Sequence, residues 1–315
     1  MKWIDVGNVH RKDAKAQRKN EIRSVLCAFA AGVFMIPFAH AEVSVRDDLG
    51  NTVRLAQPAK RIVSLAPHMT ETLFAAGAGS QIVGTVDYSD FPEAAKKIPR
   101  VGGYSRFDLE RVAALKPDLI VGWYSGNAPA HIEKLQALGF PLYISQPNQI
   151  DHIATEIERF GELAGTTAVA TPEARRFREQ LAALRARYSG KATVRTFYQI
   201  WKQPLMTIGK NQIISDVVRL CGGSNVFGQI EQMAPAVTVE AVIAANPEVI
   251  IASGMGDSRP EWLDDWKKWT SIDAVKRDNL FFVPPELIQR HTPRLLEGTE
   301  KLCQHLETVR TRRKP

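Results

Sequence analysis

Aromatic residues in three loops are the side chains of this sequence best suited to binding chemistry. Tyr88 follows a predicted strand at 81–86, Tyr104 lies in a glycine-rich loop, and Trp123 follows the predicted strand 119–122. Aromatic faces in loops that follow strands give a flat, mostly apolar ligand a surface to stack on. His68, in the loop after the first buried strand, faces the same region or solvent. A histidine that faces solvent or lies where the loop enters the next helix is the more common outcome, and axial ligation of a metal centre is the alternative.

Catalytic motifs do not accompany these aromatics. The sequence has no Gly-x-Ser-x-Gly elbow, no phosphate-binding loop and no His-Glu-x-x-His site. Residues 77–80 read Gly-Ala-Gly-Ser, which is too short for a dinucleotide-binding turn between strand and helix. A secreted α/β enzyme is therefore the less favoured class, and a binding protein is expected.

Residues 1–41 have the three parts of a secretory signal peptide. Seven Lys and Arg residues precede an apolar run from Val25 to Phe38, and Ala39-His40-Ala41 forms a small-x-small cleavage site. The net charge of the 315 residues is +7, but the chain after Ala41 keeps 34 basic against 31 acidic residues. The mature surface is then nearly balanced, and nucleic acid is not an expected partner.

Export changes how the three cysteines are interpreted. Cys27 lies within the predicted signal peptide, so the mature chain keeps Cys221 and Cys303. An even pair in an oxidising compartment is a disulfide candidate. Two buried free thiols are the alternative.

Strands and helices alternate through most of the mature chain. After a hairpin near 43–55, predicted strands at 61–65, 81–86, 119–122 and 142–144 are separated by helical segments, which indicates a parallel sheet covered by helices. Residues 173–188 are strong helix formers, and with 151–163 they could form one long connecting helical segment. The alternation resumes at 194–200.

An internal similarity predicts two related lobes. Residues 108–121 parallel residues 238–251, and Glu110 and Glu240 each precede a proline by seven residues. The predicted fold class is therefore α/β, with two similar lobes of central parallel sheets covered by helices and joined by one long connecting helix. The expected division is a signal peptide at 1–41, a first lobe at 42–165, the connecting helix at 166–192, a second lobe at 193–310 and a basic tail at 311–315. A ligand would lie in the cleft between the lobes.

Three segments make the resemblance to a known family specific. Residues 61–71 (RIVSLAPHMTE), 87–92 (DYSDFP) and 115–120 (LKPDLI) resemble the helical-backbone substrate-binding proteins of ABC importers, which supply cobalamin, haem and iron-siderophores to permeases. The resemblance extends over residues 43–307 and is strongest to the cobalamin-binding branch. It implies a monomer in the periplasm that carries a corrinoid as transported ligand and needs no cofactor. It also implies a partner, a membrane permease dimer with its ATPase subunits.

The resemblance also assigns residues to the ligand. Tyr88 and Trp123 match aromatics that contact ligand in the family, and Tyr104 stands where the cobalamin branch carries Trp. In the second lobe the matching residues are Trp201, Met206 and Arg290. An Arg–Tyr set such as Arg106, Arg290 and the loop tyrosines would suit a ferric siderophore, and an axial His68, Tyr88 or Tyr104 would suit haem. Haem and ferric siderophore therefore stay open as alternatives to cobalamin.

Glu110 and Glu240 match the family's docking residues. One acidic residue on each lobe pairs there with arginines of the permease dimer, and two carboxylates on symmetric lobes suit two basic sockets. The alternative is a pair of ordinary glutamates in the first turn of a helix.

Overall fold

Two parallel β-sheets with matching strand arrangements form the framework of the protein. They are seen in a computed structural model that describes residues 42–254, 256 and 258–313. The strands are β1 (Val43–Arg46), β2 (Thr52–Leu55), β3 (Ile62–Ser64), β4 (Ile82–Thr85), β5 (Leu119–Trp123), β6 (Leu142–Ser145), β7 (Val194–Trp201), β8 (Met206–Thr207), β9 (Gly223–Asn225), β10 (Val249–Ala252) and β11 (Leu280–Phe282). The predicted signal peptide, residues 1–41, lies outside the described residues.

The first sheet has the strand order β4-β3-β5-β6, and the second has the corresponding order β9-β7-β10-β11. Every neighbouring pair in these two series is parallel. The short β8 adds an antiparallel partner at the end of β7. The central strands are buried because helices cover both faces, which is why β3, β5 and β10 read as continuous apolar runs. The predicted fold class of two similar α/β lobes is confirmed.

Helices follow most strands and provide the cover for the sheets. They are α1 (Pro67–Ala75), α2 (Leu109–Ala114), α3 (Pro129–Ala137), α4 (Ile150–Ala164), α5 (Thr167–Tyr188), α6 (Ile213–Leu220), α7 (Val239–Ala245), α8 (Asp273–Lys276), α9 (Pro285–Ile288) and α10 (Leu295–Arg312), with 3₁₀ turns at Gly79–Gln81, Glu93–Lys97 and Glu261–Lys268. Within the described residues, no helix combines the length and the apolar character needed to cross a bilayer.

The helices between the sheets form a packed pair rather than one continuous segment. Gly165 ends α4 in the left-handed conformation at φ 69°, which a residue without Cβ adopts at little cost. The chain then reverses, and α5 packs along α4. The expectation of one continuous helical segment from 151 to 188 is wrong for this reason, whereas α5 itself runs through the predicted connecting region 166–192. The lobe limits at 165 and 193 stay predictions.

The second lobe is closed by a disulfide and by the C-terminal helix. Cys221 at the end of α6 bonds to Cys303 within α10, which confirms the predicted pair and encloses 82 positions of sequence. The predicted basic tail begins inside α10, and Arg313 donates to the Glu248 carboxylate at 2.7 and 2.8 Å. Arg312 donates to the carbonyls of Arg277 and Asp278, so both basic side chains are bonded to the second lobe.

Candidate functional site

The loop aromatics of the first lobe lie beyond the carboxyl ends of its strands. Trp123 is the last residue of β5, and Tyr88 follows β4. The Tyr104 ring lies 5.7 Å from the Trp123 ring, centroid to centroid, and is inclined to it by 49°. Both Tyr104 and Tyr88 are exposed, Tyr88 to 71%. The structure thus brings Tyr104 and Trp123 together as one aromatic surface.

Asn127 holds the three loops that carry this surface. Its buried amide nitrogen donates to the carbonyls of Leu65 at 2.9 Å and Tyr104 at 2.7 Å. Its amide oxygen accepts from the backbone N–H of Trp123 at 2.6 Å. Loop backbone that leaves a sheet needs such partners, because an unpaired buried peptide group is costly. One side chain therefore fixes the loops after β3 and β5 and the loop of Tyr104.

His68 packs against Trp123. It is the second residue of α1, as the helix-start alternative predicted, but it is buried, so a solvent-facing side chain is excluded. Its ring stands edge-on to Trp123 with centroids 4.9 Å apart, and the ring of His291 lies 5.3 Å away on the second lobe. Only Leu65 and Ala66 separate β3 from α1, which begins at Pro67. His68 therefore lies in the first turn of the helix, and its side chain is buried.

Burial favours the uncharged form of both imidazoles. Burial lowers the pKa of His68 well below its usual 6.5, and His291 and the positive charge of Arg290 lower it further. Burial alone lowers the pKa of His291 to about 4. Within the described residues, His68 Nε2 and His291 Nδ1 are buried without a hydrogen-bond partner. No group of three metal-ligating side chains converges in the part of the chain that the structure describes.

Arg290 joins the second lobe to the loop of Tyr88. Its guanidinium donates to the Tyr88 carbonyl at 3.1 Å, across 202 positions of sequence. Tyr88 has a left-handed backbone, φ 63°, which is unfavourable for a residue with a Cβ and recurs at functional positions. Two predicted ligand-binding residues, one from each lobe, are thus in direct contact with each other.

Trp201 and Met206 lie on the second lobe, outside this series of contacts. They pair with each other in the antiparallel register of β7 and β8 at the carboxyl end of the sheet. Trp201 is 39% exposed, and its indole N–H donates to the Gln203 carbonyl at 3.0 Å. Trp201, like Trp123, is the last residue of a parallel strand, but its strand β7 corresponds to β3 of the first lobe rather than to β5.

Glu110 and Glu240 occupy equivalent positions on the two lobes. Each is the exposed second residue of a short helix, α2 or α7, that leads into the strand beside the central strand of its sheet. Asp108 and Thr238 cap these helices through their side-chain oxygens. The caps leave both glutamate carboxylates directed to solvent rather than used in the fold.

Sequence reasoning did not identify Asn127 or His291 as part of the site. Asn127 lies in a Gly-Asn-Ala-Pro segment that looks like an ordinary turn, and its carbonyl partners are 23 and 62 residues away. His291 follows Arg290 but packs on the other lobe. The signal that could have pointed to His291 is its place beside the Arg290 that the resemblance had already assigned.

The chain matches a known protein family. A model of the family described as "Periplasmic binding protein" matches residues 62–287. The chain belongs to this family. The predicted resemblance to the helical-backbone binding proteins is confirmed.

Two relatives of this chain are named vitamin B12-binding protein. The vitamin B12-binding protein of Vibrio campbellii is 37% identical over 256 residues, which is 81% of this chain and 92% of the relative. The protein of that name from Yersinia pestis is 35% identical, covering 81% of this chain and 89% of its own length.

Solved structures agree on the fold. The crystal structure of the periplasmic vitamin B12-binding protein BtuF of Vibrio cholerae matches with a TM-score of 0.75 at 35% identity, covering 80% of this chain and 98% of that one. The haem-binding protein BhuT in complex with two haems has a TM-score of 0.71 at 20% identity, covering 79% of this chain and 98% of that one, and shares the fold.

Proposed function

We propose that this protein binds cobalamin in the cleft between its lobes and delivers it to an ABC importer. The observation that carries the proposal is the Tyr104–Trp123 aromatic surface, held by Asn127 and His68 beside the Arg290–Tyr88 contact. A corrinoid is a broad, mostly apolar disc with amide groups at its edge. Aromatic faces suit the disc, and a guanidinium suits amide carbonyls. Relatives named for vitamin B12, 35–37% identical, support the same ligand.

Titration calorimetry with cyanocobalamin tests this proposal. We expect saturable binding with one ligand per chain, weakened at least tenfold by Trp123→Leu and much less by Trp123→Phe, which keeps an aromatic face. Cobinamide in a parallel titration separates recognition of the ring from recognition of the lower nucleotide. Absence of binding by either corrinoid would overturn the proposal.

Haem is the second candidate, and the exposed phenol of Tyr88 favours it because haem iron requires an axial ligand such as Tyr or His. His68 is less suited to that role because its ring is buried and packed against Trp123. Haem and a ferric catecholate are therefore further arms of the same titration. Tight haem binding that Tyr88→Phe abolishes, with weak corrinoid binding, would favour the second candidate.

We infer that the protein works in the periplasm after export. The support is the signal-peptide pattern of residues 1–41, the family and the disulfide, which persists in oxidising compartments. The expected mature chain begins at Glu42. Amino-terminal sequencing of protein recovered from the periplasm tests the cleavage site, and a chain that keeps residues 1–41 would contradict it.

Glu110 and Glu240 are the proposed contacts to the permease. Both are exposed, and both occupy the same place in the two lobes. A two-fold related pair of carboxylates fits a permease dimer that presents one basic socket from each subunit.

A further inference from the structure

A buried ion pair joins the two lobes. Arg294, at the start of α10, donates through Nε and Nη2 to the two carboxylate oxygens of Glu71 on α1, both at 2.8 Å. The Glu71 side chain is 3% exposed and that of Arg294 18%. The two residues are 223 positions apart. A planar two-bond contact of this kind restricts angle as well as distance, which a single hydrogen bond does not.

A second group of the first lobe holds Arg294 from its face. The Phe91 ring lies 4.0 Å from the guanidinium carbon, in the geometry of a cation–π contact. Glu71 and Phe91 come from different elements, α1 and the loop after β4. Glu71 thus contacts the edge of the Arg294 guanidinium, and Phe91 contacts its face.

The same segment of the second lobe reaches the ligand site. Arg290 and His291 precede Arg294 by four and three residues, and they contact Tyr88 and His68. Tyr88 precedes Phe91 by three residues, and His68 precedes Glu71 by three. Residues 68–71 and 88–91 of the first lobe thus each contact residues 290–294 of the second lobe at two points, three or four residues apart. A shift of Arg294 against Glu71 would move Arg290 against Tyr88.

The pair also lies next to the connecting helix. Glu71, Phe91 and Arg294 line an open cavity of about 450 Å³, which Phe177 and Gln180 of α5 also line. A contact next to the helix that joins the lobes is well placed to limit rotation about it.

We propose that Glu71 and Arg294 are a positioning pair that sets the angle between the lobes and thereby the placement of Arg290 at the ligand cleft. The link to the ligand rests on the proposed function, whereas the link to lobe angle does not. The pair acts through Arg290 and touches no ligand itself.

The test uses the mature chain with spin labels on cysteines replacing Glu133 on α3 and Lys276 on α8, two exposed positions on different lobes. Double electron–electron resonance measures the distance distribution between them, and calorimetry measures cyanocobalamin binding. The variants are Glu71→Gln and the milder Arg294→Lys, which keeps the charge but not the two-bond contact. Glu158→Gln is the matched control, because Glu158 also makes a two-bond contact, to Arg178, but between α4 and α5.

We expect a distance distribution at least twice as broad in Glu71→Gln and Arg294→Lys as in the parent, with cyanocobalamin affinity reduced at least tenfold. Glu158→Gln should change neither. A distribution of parental width in both pair variants would overturn the proposal, even if they unfold more easily, since that result describes a merely stabilising pair. If the parent itself binds no corrinoid, the proposed function fails, and the distance measurement still decides the role of the pair.

Discussion

Asn127 accepts a hydrogen bond from the backbone N–H of Trp123 at 2.6 Å while donating to the carbonyls of Leu65 and Tyr104. One amide thus satisfies backbone groups from three loops. An aspartate at this position would keep the acceptor but lose both donor bonds, and it would place a charge in a buried site.

We expect Asn127→Ala to lower the free energy of unfolding by about 2–4 kcal/mol, since buried backbone groups lose their partner. Asn127→Asp should cost at least as much. Both variants should weaken cyanocobalamin binding more than tenfold, because the Tyr104–Trp123 surface loses its support. Denaturant unfolding and calorimetry measure the two effects. The exposed Asn211→Ala serves as control, and parental affinity in Asn127→Ala would contradict the positioning role.

Charge reversal at the two equivalent glutamates separates docking from ligand binding. We expect Glu110→Lys with Glu240→Lys to abolish binding to permease-containing vesicles and uptake of the ligand, because like charges would oppose the basic sockets. The affinity for cyanocobalamin should stay within twofold of the parent. Glu133→Lys with Glu179→Lys gives the same charge change at exposed positions elsewhere. Equal loss of uptake in this control pair would refute specific docking.

The elements of the fold were predictable because their signals are local. The apolar runs that include Ile62, Ile120 and Ile250 indicate buried strands, and the structure has β3, β5 and β10 there. The similarity of residues 108–121 to residues 238–251 predicts that the second lobe has the same fold as the first. The chain reversal at Gly165 was not predicted. The sequence does not show whether a glycine takes the left-handed conformation that ends a helix or the helical conformation that continues it.

The contacts across the site were not predictable in the same way. Glu71 and Arg294 each sit in an ordinary polar position of their segment, and only the folded chain shows that they meet. The pairing of His68 with His291 likewise depends on how the two lobes are set against each other. Pairing between distant residues leaves no periodicity or spacing in a single sequence.

Removing the disulfide should destabilise the protein without affecting the site. The bond links α6 to α10 across 82 positions, so the chain-entropy model gives about 4.5 kcal/mol. We expect Cys221→Ala with Cys303→Ala to lower the free energy of unfolding by about that amount, and reduction of the parent with dithiothreitol to have a similar effect. Affinity for cyanocobalamin at 25 °C should remain parental. A loss below about 1 kcal/mol would show that the unfolded chain gains little freedom when the bond is absent.

A buried carboxyl on α4 predicts a pH dependence of stability. Glu156 accepts a hydrogen bond from the Ser145 hydroxyl, and burial raises the pKa of its carboxyl to about 8, assisted by the negative charge of Asp48. The folded protein keeps this proton at pH 7, whereas the unfolded chain releases it near its ordinary pKa of 4.5. The stabilisation from the bound proton is therefore complete below pH 4.5 and is lost as the pH rises to 8.

Glu156→Gln keeps the shape of the protonated side chain and removes its titration. We expect the parent to lose stability relative to this variant by about 1.4 kcal/mol for each pH unit between 5 and 8, and by little above 8. Denaturant unfolding at a series of pH values gives the difference, in which the titrations of His68 and His291 cancel because both proteins carry them. Glu162→Gln, an exposed position on the same helix, should follow the parent. Parallel curves for the parent and Glu156→Gln would mean that Glu156 is already ionised in the folded protein.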